Sequence, residues 1–293
     1  MKISVILIVK NDSIALWHTF NSIYTKLQNY DFEIIIVDDS SEDFVLQEYF
    51  NRPNFDKRVK YHRVSFDSTS SSRNYGASLT DGGIILFLDA HVILGEDSIS
   101  KIIKFFKHHK DATIGFIPLI RYPGSDKVSH HKIHWDTDWW FDWLSPKEKP
   151  FRCASGGHGA YIIRKECWDK IGGYPSELVG YGSSAEEIYI NILNWMYNGE
   201  CWVITDVYQI HNDFGRNYKQ QLSKMQVNHI ISSYLIGGKK YSDYVKNSYV
   251  TDMDKDLYTK IIDSLSEKRE KIDKLGINLD NLIDKFNKEH IDY

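Results

Sequence analysis

Cysteine is scarce in this sequence. Cys153, Cys167 and Cys201 are the only three among 293 residues, and no two of them have Cys-x-x-Cys spacing. A small, odd set of this kind argues against a disulfide framework and against a zinc knuckle. The scarcity therefore favours a protein of a reducing compartment.

Long apolar runs are absent as well. No stretch approaches the about 20 consecutive apolar residues that a helix needs to cross a bilayer. The N-terminal run 3–9 is short, contains Ser4, and ends at the polar residues 10–12 with no small-residue cleavage site after it. It predicts a first β-strand rather than a signal peptide. We therefore expect a cytoplasmic protein without a transmembrane segment.

The sequence also lacks an excess of positive charge. Lys and Arg number 36 against 40 Asp and Glu, which gives a net charge of −4 and argues against nucleic acid as a partner. The first turn, residues 10–13, has no glycine, whereas a nucleotidyltransferase would need a Gly-rich loop there. Aromatic residues, by contrast, make up 14% of the chain, with 19 Tyr and 8 Trp, and such side chains stack on sugars and bases.

One stretch organises the rest of the chain. The apolar residues 84–88 have the pattern of a strand buried on both faces of a parallel sheet, and Asp89 and His91 follow at once. Ligands of open α/β sheets bind at the carboxyl ends of the strands. There, a carboxylate and an imidazole two residues apart can hold one divalent cation such as Mn²⁺. The alternative is that Asp89 caps the next helix and His91 is an ordinary loop residue.

Similar apolar runs recur and alternate with helical patterns. This alternation predicts an α/β fold with a doubly wound, mostly parallel sheet flanked by helices. The predicted strands are 3–9, 32–37, 59–64, 84–88, 113–120, 160–163 and 201–205. Residues 219–293 instead show three amphipathic patterns, which predict a helical C-terminal extension to a domain of residues 1–218. We expect this extension to pack on the domain or to join two copies in a homo-oligomer.

Residues 122–158 interrupt the alternation with a segment rich in Trp and His. A loop of this length in a compact domain is usually a lid or a binding loop, and the alternative is a satellite hydrophobic cluster. Its histidines could bind zinc, but their spacing matches no ligand pattern. The residues concerned are Trp135, Trp139, Trp140, Trp143, His130, His131 and His134.

Six motifs carry a resemblance to a known family. In chain order they are residues 4–12 (Ser-Val-Ile-Leu-Ile-Val-Lys-Asn-Asp), 33–41 (Glu-Ile-Ile-Ile-Val-Asp-Asp-Ser-Ser), 73–77 (Arg-Asn-Tyr-Gly-Ala), 86–91 (Leu-Phe-Leu-Asp-Ala-His), 154–157 (Ala-Ser-Gly-Gly) and 211–216 (His-Asn-Asp-Phe-Gly-Arg). Over about residues 1–218 the set resembles the Rossmann-like, GT-A-fold glycosyltransferases of the broad family 2. The His in the third position of Asp-x-His is specifically similar to the polypeptide N-acetylgalactosaminyltransferases.

The resemblance implies a UDP-sugar donor and Mn²⁺ or Mg²⁺ as cofactor. It implies Asp89, His91 and His211 as metal ligands. From their position in the chain, the nearby Asp206 and Asp213 are alternatives to His211, and the match of residues 211–216 to the family segment favours His211. The nucleotide-sugar contacts that it implies are Val9, Asn11, Asp38, Asp39, Arg73, Ala90 and Arg216. From the residues alone, the two aspartates after the second strand could instead cap a helix, and the arginine could be a surface charge.

The resemblance also implies an acceptor side. Gly156 and Gly157 match the acceptor-side turn, and we expect Trp140 and Tyr181 to shape the same side, the latter from the loop 180–184. In inverting relatives an acidic residue of the segment that holds Glu186 and Glu187 is the general base, although first helical turns favour acidic residues in any case. In the retaining polypeptide transferases no such base is settled, so the stereochemistry stays open.

The chain departs from the family pattern in two places. Its first turn has Val9-Lys10 instead of an aromatic residue or His, and residues 181–187 replace the family's Trp-Gly-Gly-Glu-Asn loop. The predicted function is metal-dependent transfer of GalNAc, GlcNAc or a hexose from a UDP-sugar to a hydroxyl acceptor, such as Ser or Thr of a protein. The alternatives are a polysaccharide or glycan acceptor, and a catalytically inactive nucleotide-sugar-binding scaffold of the same fold.

Overall fold

Strands and helices alternate in the first part of the chain, and helices form the last part. The computed structural model describes residues 1–43, 47–121, 124–157, 159–182, 184–212 and 222–293. The strands are β1 (Ile3–Val9), β2 (Phe32–Asp39), β3 (Val59–Val64), β4 (Ile84–Asp89), β5 (Val92–Leu94), β6 (Ala112–Phe116), β7 (Leu119–Ile120), β8 (His130–Ile133), β9 (Phe141–Leu144), β10 (Phe151–Arg152), β11 (Ala160–Arg164), β12 (Glu200–Val203) and β13 (Gln209–His211). The helices are α1 (Ser13–Leu27), α2 (Gln47–Phe50), α3 (Thr69–Ser78), α4 (Ser98–His108), α5 (Lys165–Ile171), α6 (Ser184–Met196), α7 (Leu222–Gly237), α8 (Lys239–Ser248), α9 (Lys255–Ser264), α10 (Ser266–Asp273) and α11 (Leu279–Lys288).

The main sheet of the described residues has eight strands in the order β10-β12-β6-β11-β4-β1-β2-β3. Strand β1 pairs in parallel with β2 and β4, and β3 extends the parallel part beyond β2. Alternate residues of β1 enter two different core clusters: Ile6 and Ile8 belong to one, and Val5 and Leu7 belong to the other. The sheet is therefore buried on both faces, and the predicted α/β fold with flanking helices is confirmed.

Strand β11 runs antiparallel between β4 and β6. Its first residue, Ala160, is paired with Leu88 near the end of β4. Because the two strands run in opposite directions, the chain enters β11 at the edge where β1, β2 and β4 end. The turn before β11 therefore lies at the carboxyl edge of the parallel strands, which is where ligands of such sheets bind.

The single strand predicted over 113–120 is wrong in one respect. Pro118, which has no backbone N–H for a strand ladder, lies between β6 and β7. Strand β6 stays in the main sheet, whereas β7 joins β5 and β13 in a three-stranded sheet. This division places the end of β13 beside the residues that follow β4.

The described residues of the Trp-rich segment form short strands rather than a plain loop. Strands β8 and β9 form a hairpin, and β10 joins the main sheet. Trp139 is 0% exposed and lies with Trp135 in a core cluster of the main sheet, so the satellite-cluster alternative is wrong for these two residues. Trp140 and Trp143 are only partly buried and line a cavity instead.

The C-terminal helices pack on the α/β part. Helix α7 contacts α6, and the rings of Phe286 in α11 and Trp195 in α6 lie edge to face, 5.2 Å between centroids. The second of the predicted helices is divided into α9 and α10 at Leu265, and α8 was not predicted. The proposed domain boundary at 218 lies outside the described residues and stays a prediction, as does self-association. Among the helices of the described ranges, none has both the length and the apolar character that a membrane span requires.

Candidate active site

A cavity of about 490 Å³ opens at the carboxyl edge of the main sheet. Its walls come from distant parts of the chain: the ends of β1, β4 and β13, helix α3, the β8–β9 hairpin, the start of α6 and one residue of α7. The predicted site residues that line it are Arg73, Asp89, Ala90, His91, Trp140, Tyr181, Glu186, Glu187 and His211.

Three possible metal ligands meet on one wall of this cavity. Asp89 ends β4, His91 lies two residues further on, and His211 ends β13. The antiparallel pairing of β13 with β5 places His211 opposite Val92, next to His91. One ligand atom from each of the three residues lies within 4.8 Å of the others, and His211 Nε2 is 3.4 Å from Asp89 Oδ2. One carboxylate and two imidazoles suit Mn²⁺ or a similar divalent cation, so the residues fit the implied metal.

Asp12 supports this group and was not predicted as a site residue. Its Oδ2 lies 2.7 Å from His91 Nδ1, so the other ring nitrogen of His91 is directed to the metal position. A carboxylate behind a ligating imidazole fixes the ring and raises its basicity. An Asp after the first strand is equally typical of a helix cap, so its position in the sequence does not by itself predict this contact.

Gly159 makes room for His211. A Cβ atom at residue 159 would lie 2.2 Å from His211 Cδ2 and 2.8 Å from its Nε2. The carbonyl oxygen of Gly159 also accepts a hydrogen bond from the Asp89 amide at 3.0 Å. The close approach of backbone and imidazole therefore requires glycine at this position.

Arg73 of α3 connects the metal wall to α6. Its guanidinium lies 3.2 Å from Asp89 Oδ1 and 3.0 Å from Glu186 Oε1. The side chain is 3% exposed, which excludes the surface-charge alternative. Burial alone would raise the pKa of Asp89, but the hydrogen bond from His211 and the charge of Arg73 hold it below its usual value. Asp89 is therefore ionised and ready to bind a cation.

The two acidic residues at the start of α6 have different surroundings. Glu186 is buried, accepts a hydrogen bond from Ser70 at 2.5 Å, and forms the ion pair with Arg73. Burial raises the pKa of Glu186, against the opposing effects of Arg73 and Ser70. The side chain of Glu187 is 20% exposed, and its Oε2 lies 3.6 Å from His131 Nε2. Of the two carboxylates, Glu187 is thus the more accessible from the cavity.

The predicted nucleotide contacts at the end of β2 are buried. Asp38 accepts hydrogen bonds from Tyr61, from Arg63 at 3.1 Å and from the Ser41 amide at 2.8 Å. Asp39 accepts from the hydroxyl of Tyr181 and from the Ser68 amide at 3.0 Å. Their contact with a nucleotide stays a prediction.

The turn after β1 faces this region. Val9 is buried, and Asn11, with a φ of +53°, donates its amide to Ser41 Oγ at 3.0 Å. Lys10 lines the cavity and its Nζ lies 2.7 Å from the carbonyl of Asp39. This lysine stands where the resemblance leads one to expect an aromatic residue or His. Arg216, the last predicted phosphate contact, lies outside the described residues, as does the alternative ligand Asp213.

The acceptor-side turn is packed against aromatic rings. A Cβ on Gly157 would lie 2.3 Å from the Trp143 ring, and one on Gly156 would lie 2.6 Å from Phe116. Trp140 stacks on His229 of α7, with ring centroids 5.3 Å apart and an interplanar angle of 10°. Neither His229 nor its contact with the hairpin was predicted, because nothing in a local pattern relates residues so far apart.

The His cluster expected as a zinc alternative is not assembled. His131 bonds to Ser155, His130 lies 3.3 Å from Asp292, and His134 lies 3.2 Å from Asp142. Among the described residues, the group that could hold a metal is Asp89, His91 and His211. The zinc alternative is therefore wrong, and Asp206 is not part of the metal group.

Comparisons with known proteins agree with this geometry. The sequence profile of glycosyl transferase family 2 matches residues 4–164. Inactive polypeptide N-acetylgalactosaminyltransferase-like protein 5 of Macaca fascicularis is 25% identical over 209 residues, 65% of this chain and 46% of that protein. The minor teichoic acid biosynthesis protein GgaB of Bacillus subtilis (strain 168) is 28% identical over 136 residues, 45% of this chain and 15% of GgaB. The chain thus spans less than half of the length of these curated relatives.

A solved structure shares the fold over nearly the whole chain. The crystal structure of GalNAc-T7 with UDP, GalNAc and Mn²⁺ matches with a TM-score of 0.74 and 19% identity, over 93% of this chain and 54% of that one. The family profile covers more than half of the 293 residues. With its GT-A architecture and an Asp-x-His motif at the carboxyl edge of the sheet, the chain therefore belongs to glycosyl transferase family 2.

Proposed function

We propose that the protein is a metal-dependent glycosyltransferase that moves a sugar from a UDP-sugar to a hydroxyl acceptor. The observation that carries this proposal is the meeting of Asp89, His91 and His211 on the wall of a cavity about 490 Å³ in volume. A cavity of this size is within the range that accommodates a small-molecule ligand.

The three ligands would hold Mn²⁺ or Mg²⁺. When bound, the cation supplies Lewis-acid neutralisation of the diphosphate that leaves the sugar. Asp12 holds the His91 ring in the orientation that this requires, and Arg73 fixes the Asp89 carboxylate from behind. Lys10, whose charged end lies near the end of β2, adds a cation on the nucleotide side. UDP as the nucleotide is supported by GalNAc-T7, whose structure was solved with UDP, GalNAc and Mn²⁺.

Glu187 is the better candidate for a general base on the acceptor hydroxyl. It lines the cavity and is partly exposed, whereas Glu186 is engaged by Arg73 and Ser70. A base must reach the proton that it removes, which favours the accessible carboxylate. This role belongs to inversion at the sugar carbon, so a retaining reaction would leave Glu187 without it.

The acceptor wall favours a glycan over a peptide. Trp140, Phe141 and Trp143 line the cavity, and aromatic faces of this kind stack on sugar rings. Arg121 lies over the Trp143 ring, 5.6 Å from its centroid, and brings a positive charge to the same side. An acceptor of sugar or polyol units with an anionic group fits these contacts. The relative GgaB, named for teichoic acid biosynthesis, supports this choice, whereas the N-acetylgalactosaminyltransferase relatives support Ser or Thr of a protein.

Donor binding and turnover test the proposal. With Mn²⁺ present, UDP should raise the melting temperature more than GDP or CDP, and EDTA should abolish the effect. His211→Ala should cut Mn²⁺-dependent UDP binding and transfer at least about tenfold, or ~1.4 kcal/mol in transition-state terms. His108→Ala, an exposed histidine on α4, is the matched control and should behave as wild type. Transfer is followed by mass spectrometry with UDP-GalNAc, UDP-GlcNAc and UDP-glucose on peptide and phosphate-bearing glycan acceptors.

The same experiment distinguishes an active transferase from a catalytically inactive scaffold. A protein that binds UDP with Mn²⁺ but hydrolyses no donor above the EDTA control would be a nucleotide-sugar-binding scaffold. Equal activity of His211→Ala and wild type at low Mn²⁺ would remove His211 from the metal site.

A further inference from the structure

We propose that a buried chain of side chains, Asn191–Ser155–His131, holds the carboxylate of Glu187 toward the acceptor hydroxyl. His131 and Ser155 are then positioning residues for the transfer step, and Glu187 is the group that receives the proton. The inference rests on the proposed glycosyltransferase function and assigns roles within that site.

The contacts form a continuous path from the interior to the cavity. Asn191 Nδ2 lies 2.9 Å from Ser155 Oγ, and Ser155 Oγ lies 2.9 Å from His131 Nδ1. The opposite ring nitrogen, Nε2, lies 3.6 Å from Glu187 Oε2. Asn191, Ser155 and His131 are all 0% exposed, whereas Glu187 reaches the cavity. The path therefore ends at the place where an acceptor would bind.

The surroundings of His131 favour one tautomer. Nε2 lies 3.6 Å from the Glu187 carboxylate, which is longer than a hydrogen bond, and a proton on Nε2 places an N–H toward a group that accepts hydrogen bonds only. In a neutral ring Nδ1 is then an acceptor, and the Ser155 hydroxyl donates to it. Ser155 Oγ in turn accepts from the Asn191 amide, which can only donate. In this tautomer the hydrogen bonds run from Asn191 to Ser155 and from Ser155 to His131, and the N–H of His131 faces Glu187 at ion-pair distance.

Packing keeps the His131 ring in this orientation. The ring stacks on Phe141 with centroids 3.5 Å apart and an interplanar angle of 13°, and it meets the edge of Trp143 at 4.6 Å. Asn191 lies one helical turn after Glu187 on α6 and also reaches the carbonyl of Gly156, at 3.3 Å. The chain therefore joins α6, the β8–β9 hairpin and the acceptor-side turn.

The carboxylate of Glu186, the neighbouring residue, is held by other side chains. Glu186 faces Arg73 and Ser70, on the side of the metal ligands. Two adjacent glutamates are thus held by two separate sets of partners. The arrangement gives Glu186 to the metal side and Glu187 to the acceptor side.

The proton and the bonds balance in the transfer step. The acceptor oxygen forms a bond to the anomeric carbon of the sugar, while the bond from that carbon to the diphosphate oxygen breaks. The bonding pair leaves with UDP, and the acceptor proton passes to Glu187. His131 takes no part in the proton transfer, and its Nε2, 3.6 Å from Oε2 of Glu187, orients the carboxylate.

Substitutions at residue 131 test the role of the Asn191–Ser155–His131 path, in the protein of 293 residues. His131→Phe keeps the stack on Phe141 and removes both nitrogens, so kcat for transfer should fall about tenfold or more. The acceptor KM and the Mn²⁺-dependent Kd for UDP should change less than about twofold. His131→Gln restores an amide N–H and should recover part of the lost kcat. Ser155→Ala removes only the hydroxyl that contacts His131 and Asn191. It is the second test variant if His131→Phe does not fold, and it should also lower kcat.

His130→Phe is the matched control. His130 is the preceding residue of β8 and is also buried, but its ring faces Asp292 and Phe151. An equal fall of kcat in His130→Phe and His131→Phe would show a general packing effect and overturn the inference. So would full activity of Glu187→Gln in an active enzyme, or a His131→Gln variant no better than His131→Phe. A wild-type protein with neither donor hydrolysis nor transfer would instead overturn the proposed function itself.

Discussion

Tyr181 lies between two glycines with positive φ, +78° at Gly180 and +76° at Gly182. Its hydroxyl donates a hydrogen bond to Asp39, at the end of β2. The carbonyl of Gly180 is itself bonded by the Thr69 amide at 3.0 Å, which anchors one end of the turn. A residue expected on the acceptor side thus reaches the predicted nucleotide contact. A nucleotide that approaches Asp39 Oδ2 therefore competes with the tyrosine hydroxyl for that oxygen.

Tyr181→Phe should therefore tighten UDP binding. The variant loses the internal bond that competes with the nucleotide, and one such hydrogen bond is worth about 1 kcal/mol, or roughly fivefold in Kd. Isothermal titration with UDP and Mn²⁺ measures the change. Weaker binding by Tyr181→Phe would mean that the hydroxyl contacts the nucleotide directly. Tyr249→Phe is the control, because Tyr249 lies outside the cavity lining and packs beside Trp140 and His229.

The group that could hold a metal could be predicted from the sequence, and the residues that support it could not. The pattern of Asp89 and His91 predicts a metal site, because a carboxylate and an imidazole follow a buried strand. His211 was named only through the family resemblance, and the structure brings it beside them. Asp12 and His131 have ordinary local surroundings in the sequence. Asp12 contacts His91, 79 positions further along the sequence, and His131 faces Glu187, 56 positions further on. No local sequence pattern encodes contacts over such separations.

At the scale of elements, helix α7 is part of the site. Met225 lines the cavity, and His229 lies one turn later on the same helix. His229 Nδ1 donates to the carbonyl of Asp138 at 3.0 Å, and its Nε2 accepts from Ser184 Oγ at 3.2 Å. Together with the stack on Trp140, these bonds tie the hairpin and the start of α6 to the C-terminal helices.

His229→Phe should raise the acceptor KM while leaving donor hydrolysis nearly unchanged. The phenyl ring retains the stack on Trp140 but loses both hydrogen bonds, which loosens the hairpin and the start of α6. We expect an increase in KM of about fivefold or more, since a small misplacement of binding groups is costly. Hydrogen exchange should also rise around residues 138–143 and 184–187.

Ser233→Ala, on the same buried helix, is the control for this variant. Its hydroxyl bonds only within α7, to the carbonyl of Ile230 among the described contacts. If Ser233→Ala raises KM and exchange as much as His229→Phe does, the effect comes from helix packing and not from His229.

Elements with a strong apolar period could be predicted, and short ones could not. The runs that became β1, β2 and β4 are long and buried, so their pattern is unambiguous. Strands β8, β9 and β10 have between two and four residues and owe their form to pairing partners. The division at Pro118 was readable from the missing N–H, but which sheet β7 joins depends on tertiary contacts.

For the whole molecule, two buried histidines make stability depend on pH. Burial lowers the pKa of both His130 and His229 to about 4, against the raising effects of Asp292 and the Asp138 carbonyl. In the unfolded chain a histidine titrates near 6.5, so between the two values the unfolded state binds more protons. Stability is therefore full above about pH 6.5 and is lost as the pH falls toward 4, by about 3 kcal/mol for each residue.

Urea unfolding at about pH 7 and about pH 4.5 measures this loss. His229→Gln cannot take up the proton, so its free energy of unfolding should fall less over the same interval. A variant with the same pH dependence as wild type would show that His229 is not the group responsible. His18→Gln, an exposed histidine of α1, should leave the pH dependence unchanged.

Gly159 bears on how the activity of related chains is inferred from their sequences. A Gly159→Ala change would force His211 away while Asp89, His91 and His211 all remain in place in the sequence. Inspection of the ligand motifs would then count such a chain as an active enzyme. Loss of turnover can thus be hidden at a residue that is not itself one of the proposed metal ligands. A survey that separates active enzymes from inactive ones should therefore examine the residue before β11 together with the three proposed ligands.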